Sequence, residues 1–161
     1  MADLFDSLVP DEPRPGAAPS AHRPLADRIR PGRLADVIGQ GEVLGPDGPL
    51  GAMLAAGSLS SLILWGPPGV GKTTIARLLA DQTDRAFVQI SAIFSGVPEL
   101  RKVFDSAKLR FRQGQGTLLF VDEIHRFNKA QQDSFLPHME DGTILLVGAT
   151  TENPSFELNA A

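Results

Sequence analysis

The sequence predicts an α/β fold, a parallel sheet sandwiched by helices, and three observations carry that expectation. Short apolar runs alternate with stretches of helical periodicity along the chain. One run, Leu62-Ile63-Leu64-Trp65, leads straight into Gly66-Pro67-Pro68-Gly69-Val70-Gly71-Lys72-Thr73, which matches the glycine-loop pattern that ends in Gly-Lys-Ser/Thr. Another run, Thr117-Leu118-Leu119-Phe120-Val121, leads into the paired carboxylates Asp122 and Glu123. Parallel sheets bind ligands outside the carboxyl ends of their strands, and both features fall at such ends.

Taken in order, residues 1–24 hold Pro10, Pro13, Pro15, Pro19 and Pro24 with few core formers. Too little apolar area is available there to offset the entropy of ordering, so the stretch is expected to be a flexible tail ahead of a core at 25–161. Leu4, Phe5 and Leu8 lie among Asp3 and Asp6. A solvated terminus is the favoured reading of that patch over a docking peptide. Leu25 and Ile29 share a helical face that Pro31 ends. Leu34, Val37 and Ile38 repeat at helical spacing before Gly39, a C-cap candidate. Pro46 to Gly48 is a turn, and Leu50, Met53 and Leu54 suggest a short helix ending near Gly57.

Leu62–Trp65 reads as a buried first strand, and Thr73 to Ala80 as a helix. Ala86–Ile90 is a second strand with Ser91 at its end. Leu100, Val103, Phe104, Ala107 and Phe111 form the apolar stripe of a helix opened by Gly96-Val97-Pro98. Its outer face carries Arg101, Lys102, Lys108 and Arg112, more often a solvated surface than a nucleic-acid contact. Thr117–Val121, apolar throughout, reads as a central strand. Asn128 caps a helix through Ala130, Gln131, Phe135 and Leu136, which Pro137 is expected to kink or end. After the Asp141-Gly142 turn, Thr143 to Ala149 is a fourth strand that ends at Thr150 and Thr151.

Composition removes several function classes. Fifteen basic and 19 acidic residues leave a formal net charge of -4, no global footprint for nucleic acid. There is no cysteine, hence no disulfide framework or thiolate metal site. No apolar run approaches the roughly 20 residues of a membrane span, and the start of the sequence lacks the plan of a signal peptide. A cytoplasmic protein is expected.

The glycine loop is a phosphate cradle. Its glycines let successive N–H groups point inward, and the following helix adds the partial positive charge of its N-terminus. The candidate nucleotide-binding residues are Gly66, Pro67, Pro68, Gly69, Val70, Gly71, Lys72, Thr73 and Thr74. Lys72 is expected to reach the outer phosphates and Thr73 to ligate Mg²⁺. Asp122 is the second Mg²⁺ candidate, and Glu123 the general base for an attacking water. Thr150 or Thr151 is placed to hydrogen-bond the terminal phosphate or that water, and Ser91 to hold Glu123 aside. His22, His125 and His138 have no metal-ligand spacing.

Residues 24–31 (Pro-Leu-Ala-Asp-Arg-Ile-Arg-Pro), 37–40 (Val-Ile-Gly-Gln), 63–74, 120–133 and 148–157 together resemble the AAA+ ATPases. The runs Asp-Glu-Ile-His-Arg-Phe-Asn-Lys and Ala-Thr-Thr-Glu-Asn-Pro-Ser-Phe-Glu narrow the resemblance to the family of bacterial replication-associated recombination protein A, relatives of the clamp loaders. The resemblance implies the P-loop NTPase (AAA+) fold and a DNA-dependent ATPase that acts at stalled forks. It implies a homo-oligomer that meets forked or single-stranded DNA, single-stranded DNA-binding protein and the replication machinery near the nucleoid. It makes Lys72 the Walker A lysine, Asp122 and Glu123 the Walker B pair, Thr151 the sensor 1 residue and Ser91 the glutamate switch. Arg30, Pro31, Val37 and Ile38 match the segment that lines the adenine pocket.

Relatives follow the Asn-Pro-Ser-Phe-Glu run with an arginine finger, a fifth strand, a helical lid and a C-terminal oligomerisation domain. The sequence ends at Ala161, so those parts are expected to be absent and the chain to be a piece of a longer protein. Weak turnover follows, since a finger supplied in trans is worth about 10³–10⁵ in rate. A nucleotide-binding module without useful turnover, and a clamp-loader or branch-migration ATPase, are the alternatives.

Overall fold

The computed structural model describes residues 24–159, so the expected tail, its Leu4–Leu8 patch and His22 lie outside the described residues. Contacts divide the chain into two units, Met1–Arg30 and Pro31–Ala161. The first unit contributes a single turn of helix, α1 (Leu25–Arg28), which leaves Leu25 and Ile29 exposed.

The second unit is built on four parallel strands: β1 (Leu62–Trp65), β2 (Ala86–Ser91), β3 (Thr117–Asp122) and β4 (Ile144–Thr150). Their order across the sheet is β1-β4-β3-β2. Helix α4 (Lys72–Gln82) carries the chain from β1 to the far edge. Helix α5 (Val97–Arg112) then returns it to β3, and α6 (Lys129–Asp133) with α7 (Leu136–Glu140) returns it to β4. Short helices α2 (Gly41–Leu44) and α3 (Pro49–Ala55) precede β1, and α8 (Pro154–Glu157) follows β4.

Alternation along the central strands feeds two apolar layers. Leu118 and Phe120 of β3 and Leu145, Val147 and Ala149 of β4 pack against Ile75, Leu78 and Leu79 of α4. Their neighbours Leu119, Val121, Ile144 and Leu146 pack against Leu100, Phe104 and Ala107 of α5 and Phe135 beyond α6. Both faces of β3 and β4 are therefore buried, which is why these strands read as unbroken apolar runs. The expected helix-covered parallel sheet is the observed one.

Four local expectations need correction. β1 is the open edge of the described sheet, paired only with β4. Its burial alternates, with Ile63 37% and Trp65 61% exposed, so it is not the buried strand its composition predicts. The segment holding Leu34, Val37 and Ile38 forms only a 3₁₀ turn at Leu34–Asp36. Val37 is already extended and Ile38 is 95% exposed. Gly39 makes a separate turn at φ +83° rather than capping a helix. The stripe of α5 buries Leu100, Phe104 and Ala107, but Phe111 in the last turn is left exposed. The predicted helix after Asn128 is two helices, with Pro137 in the first turn of the second. The missing proline N–H costs nothing there, and of the expected kink or early end the structure shows the early end. The Asn128 cap is as expected: its side chain accepts from Gln131 N at 2.8 Å.

Two consequences for stability follow from this packing. A Cβ built on Gly148 of β4 would lie 2.6 Å from Ile63 Cδ1 and 3.0 Å from Ile124 Cδ1. Gly148→Val is therefore expected to destabilise the protein by about 1–3 kcal/mol through overpacking, read as a lower urea midpoint. The second concerns His138, whose ring lies 4.3 Å from that of Phe104 and whose Nδ1 is buried with no hydrogen-bond partner among the described residues. Burial, then Lys108, hold its pKa below the ordinary imidazole value against the opposing pull of Asp141 and Asp105. The unfolded chain takes up this proton first, so stability falls as pH drops through about 6.5 and levels off below the folded-state value. His138→Phe is expected to remove that part of the pH dependence of the unfolding midpoint between pH 7.5 and 5.5.

Candidate nucleotide site

Strand β1 ends at Trp65, and Gly66 N–H donates to the Thr150 carbonyl at 3.2 Å. The glycine loop is thereby fastened to the end of β4. Gly69 and Gly71 sit at φ +80° and +95°, conformations that a residue with a Cβ adopts only with strain. Helix α4 then starts at Lys72 and runs 11 residues. Among the described residues the N–H groups of Gly69, Gly71, Lys72, Thr73 and Thr74 have no hydrogen-bond acceptor. A row of unpaired donors at a helix N-terminus is suited to phosphate. The Lys72 ammonium folds back over the loop and donates to the carbonyls of Gly66 at 2.7 Å and Pro67 at 2.8 Å.

The second group of residues stands where β3 ends. Asp122 Oδ1 accepts from Glu123 N–H at 3.1 Å. Glu123 itself lies in the left-handed region at φ 52°, ψ 44°, an uncommon conformation for a residue that is not glycine. The reversal aims the two adjacent carboxylates differently. Register places Ser91 of β2 beside Asp122, and the Ala92 N–H extends the ladder to the Asp122 carbonyl. Among the described residues no hydrogen bond joins Ser91 to Glu123. The Glu123 carboxylate instead meets Thr151, whose hydroxyl is 3.5 Å from Oε2, and His125, whose Nε2 is 3.3 Å from the same oxygen. Thr150 is fully buried and turned away, with its Oγ1 2.8 Å from His125 Nδ1. The choice between the two threonines thus falls on Thr151 as the one that touches Glu123.

Residues 62–160 match the family model for AAA, the ATPase family associated with various cellular activities. The chain belongs to this family. Over 139 residues it is 55% identical to replication-associated recombination protein A of Escherichia coli K12, a match over 86% of this chain and 31% of that protein. It is 48% identical to ATPase WRNIP1 of Dictyostelium discoideum over 86% of this chain and 16% of that one. The chain thus spans about a third or less of the length of these curated relatives. Among solved structures, a RuvB mutant of Thermotoga maritima superposes with a TM-score of 0.65 at 31% identity, covering 81% of this chain and 44% of that chain. The resemblance to the recombination-protein family and the AAA+ fold read from the motifs are both borne out.

Not every residue matched to the family joins the loop. Val37 packs against the α4 side of the core, whereas Ile38 stands on the surface. Pro31 opens the second unit and Arg30 closes the first. The basic residues Arg101, Lys102, Lys108 and Arg112 are all exposed on α5. A groove of about 280 Å³ along β1, lined by Leu62, Ile63, Phe135, Met139 and Leu158, shares no residue with the loop or the Walker B pair. His125 is the residue sequence reasoning missed. Its signal was its place two residues beyond Glu123, but a search for metal-ligand spacing passes over a histidine that meets a carboxylate.

Proposed function

We propose that this chain is the nucleotide-binding core of a Mg²⁺-dependent ATPase that acts on DNA during replication or recombination. The observation that carries the proposal is the convergence of unpaired loop donors, Lys72, Asp122, Glu123 and Thr151 at the carboxyl edge of one sheet. The loop N–H groups from Gly69 to Thr74 and the Lys72 ammonium bind the phosphates of ATP. The Thr73 hydroxyl and Asp122 carboxylate are oxygen donors of the kind a hard divalent cation takes. Bound Mg²⁺ supplies charge neutralisation on the transferring phosphoryl group. Glu123 takes the proton of the attacking water, and Thr151 hydrogen-bonds the terminal phosphate. By the family resemblance, Pro31, Val37 and Ile38 of the second unit line the adenine pocket.

The DNA reading rests on relatives. One similar protein is named a replication-associated recombination protein, and a RuvB chain of the same fold is titled a Holliday junction branch migration motor. By the same resemblance the full-length protein works as a homo-oligomer on forked or single-stranded DNA, in the cytoplasm near the nucleoid, alongside single-stranded DNA-binding protein and the replication machinery. No helix among the described residues is long and apolar enough to cross a membrane. Since the chain spans 31% of the first relative, weak turnover in isolation is the expectation. The test is ATP turnover with and without forked or single-stranded DNA, for this chain and for the full-length protein. The proposal fails if the full-length protein hydrolyses ATP no faster than its Lys72→Ala variant.

A further inference from the structure

We propose that His125 is a positioning residue that aims the Glu123 carboxylate, and that Thr150 fixes the imidazole in the tautomer able to do so. The inference rests on the role proposed for Glu123 and adds the groups that control it. Four polar groups stand in series, joined by two hydrogen-bond contacts and one ion-pair contact. The Glu152 N–H lies 3.0 Å from Thr150 Oγ1, Thr150 Oγ1 lies 2.8 Å from His125 Nδ1, and His125 Nε2 lies 3.3 Å from Glu123 Oε2. A backbone N–H can only donate, so Thr150 Oγ1 accepts from Glu152 and retains one proton of its own to give. Two acceptors are in reach of that proton, His125 Nδ1 at 2.8 Å and the Glu152 carbonyl at 3.3 Å. The shorter contact assigns it to Nδ1. That leaves the ring proton on Nε2, facing a carboxylate oxygen that can only accept. The opposite tautomer would set a nitrogen lone pair 3.3 Å from Glu123 Oε2, a repulsive contact.

Burial makes the arrangement rigid. The His125 side chain is 6% exposed and that of Glu123 22%, while Thr150 is fully buried. The 3₁₀ turn Ile124–Arg126 carries the histidine, and Ile124, 4% exposed, anchors the turn in the core. Thr151 is different: it sits beyond the strand, and its 3.5 Å approach to the same Oε2 is long for an O–H donor. Two groups therefore share an oxygen, His125 through a close ion-pair contact and Thr151 through a long hydrogen bond. His125 sets the direction of the carboxylate, and Thr151 is free to exchange it for a phosphate oxygen. The path also runs from the backbone after β4 to the base, so a shift of Glu152 is felt at Glu123.

The test has two readouts. In the full-length protein, His125→Ala is expected to lower kcat about 10–100-fold while KM for ATP and nucleotide affinity stay within about twofold, as misdirection of a catalytic group predicts. His125→Gln, which keeps an N–H donor at a similar reach, is expected to recover most of that loss. Glu123→Gln is run alongside. If it abolishes hydrolysis while His125→Ala leaves kcat unchanged, the positioning role is wrong and the base assignment stands. If Glu123→Gln leaves hydrolysis intact, the base assignment fails and this inference falls with it. Independently of activity, ¹⁵N imidazole shifts of this chain are expected to show His125 as the Nε2–H tautomer, its signal identified by loss in His125→Gln. Thr150→Val is expected to erode that preference. An Nδ1–H signal, or a Thr150→Val spectrum identical to wild type, would overturn the relay whatever the kinetics show.

Discussion

Glu123→Gln is expected to leave ATP affinity within about threefold of wild type and to cut hydrolysis by about 10²–10⁴, the range that one general base supplies. Three observations set the sign of each half. Glu123 is not in the loop, so the donors that hold phosphate, Gly69 to Thr74 and Lys72, are untouched by the change. Glutamine is nearly isosteric, and its Oε1 can still accept from His125 and Thr151, so the left-handed turn at φ 52° is preserved. What is lost is the basicity of the carboxylate. Single-turnover hydrolysis beside equilibrium binding of ATP separates the two effects. Loss of binding would show that Glu123, and not Asp122, is the metal-side carboxylate.

Lys72→Ala is expected to fail earlier in the cycle, weakening ATP binding about 10–100-fold, since a charge-assisted hydrogen bond to phosphate is worth about 1.5–3 kcal/mol. The ammonium also holds the carbonyls of Gly66 and Pro67 at 2.7 and 2.8 Å, so its removal loosens the loop as well as subtracting a charge. Trp65, the single tryptophan of the sequence, directly precedes the loop and is 61% exposed. Its fluorescence is expected to respond to loop occupancy. Titration of wild type with ATP should change the signal, and Lys72→Ala should need a far higher concentration for the same change. Equal midpoints would remove Lys72 from the binding site. The two variants together distinguish failure to bind from failure to react.

Much of this site was legible because its parts are local. Positive φ at Gly69 and Gly71 and a helix that starts at Lys72 are properties of a few consecutive residues, and the motif records them directly. The apolar runs of β3 and β4 were legible for a related reason: a strand buried on both faces has no polar alternation to conceal it. β1 has a similar composition but a different fate. Ile63 and Trp65 are left open because burial depends on which strands lie beside it, and periodicity does not encode that. Leu34, Val37 and Ile38 carry a helical period, yet only three residues became a tight turn, too short for the period to matter.

Contacts between strand ends lie at the other extreme. Thr151 and Glu123 are 28 residues apart, as are the ends of β3 and β4 that hold them. Nothing in the chain between them says which of two adjacent threonines turns inward to His125 and which outward to the carboxylate. The residue types at the strand ends, the loop and its phosphate chemistry were written in the sequence, because each follows from the conformational freedom and charge of neighbouring residues. The partner of Glu123 was decided only when β4 packed between β1 and β3, because sheet order and register set which side chains meet across the edge.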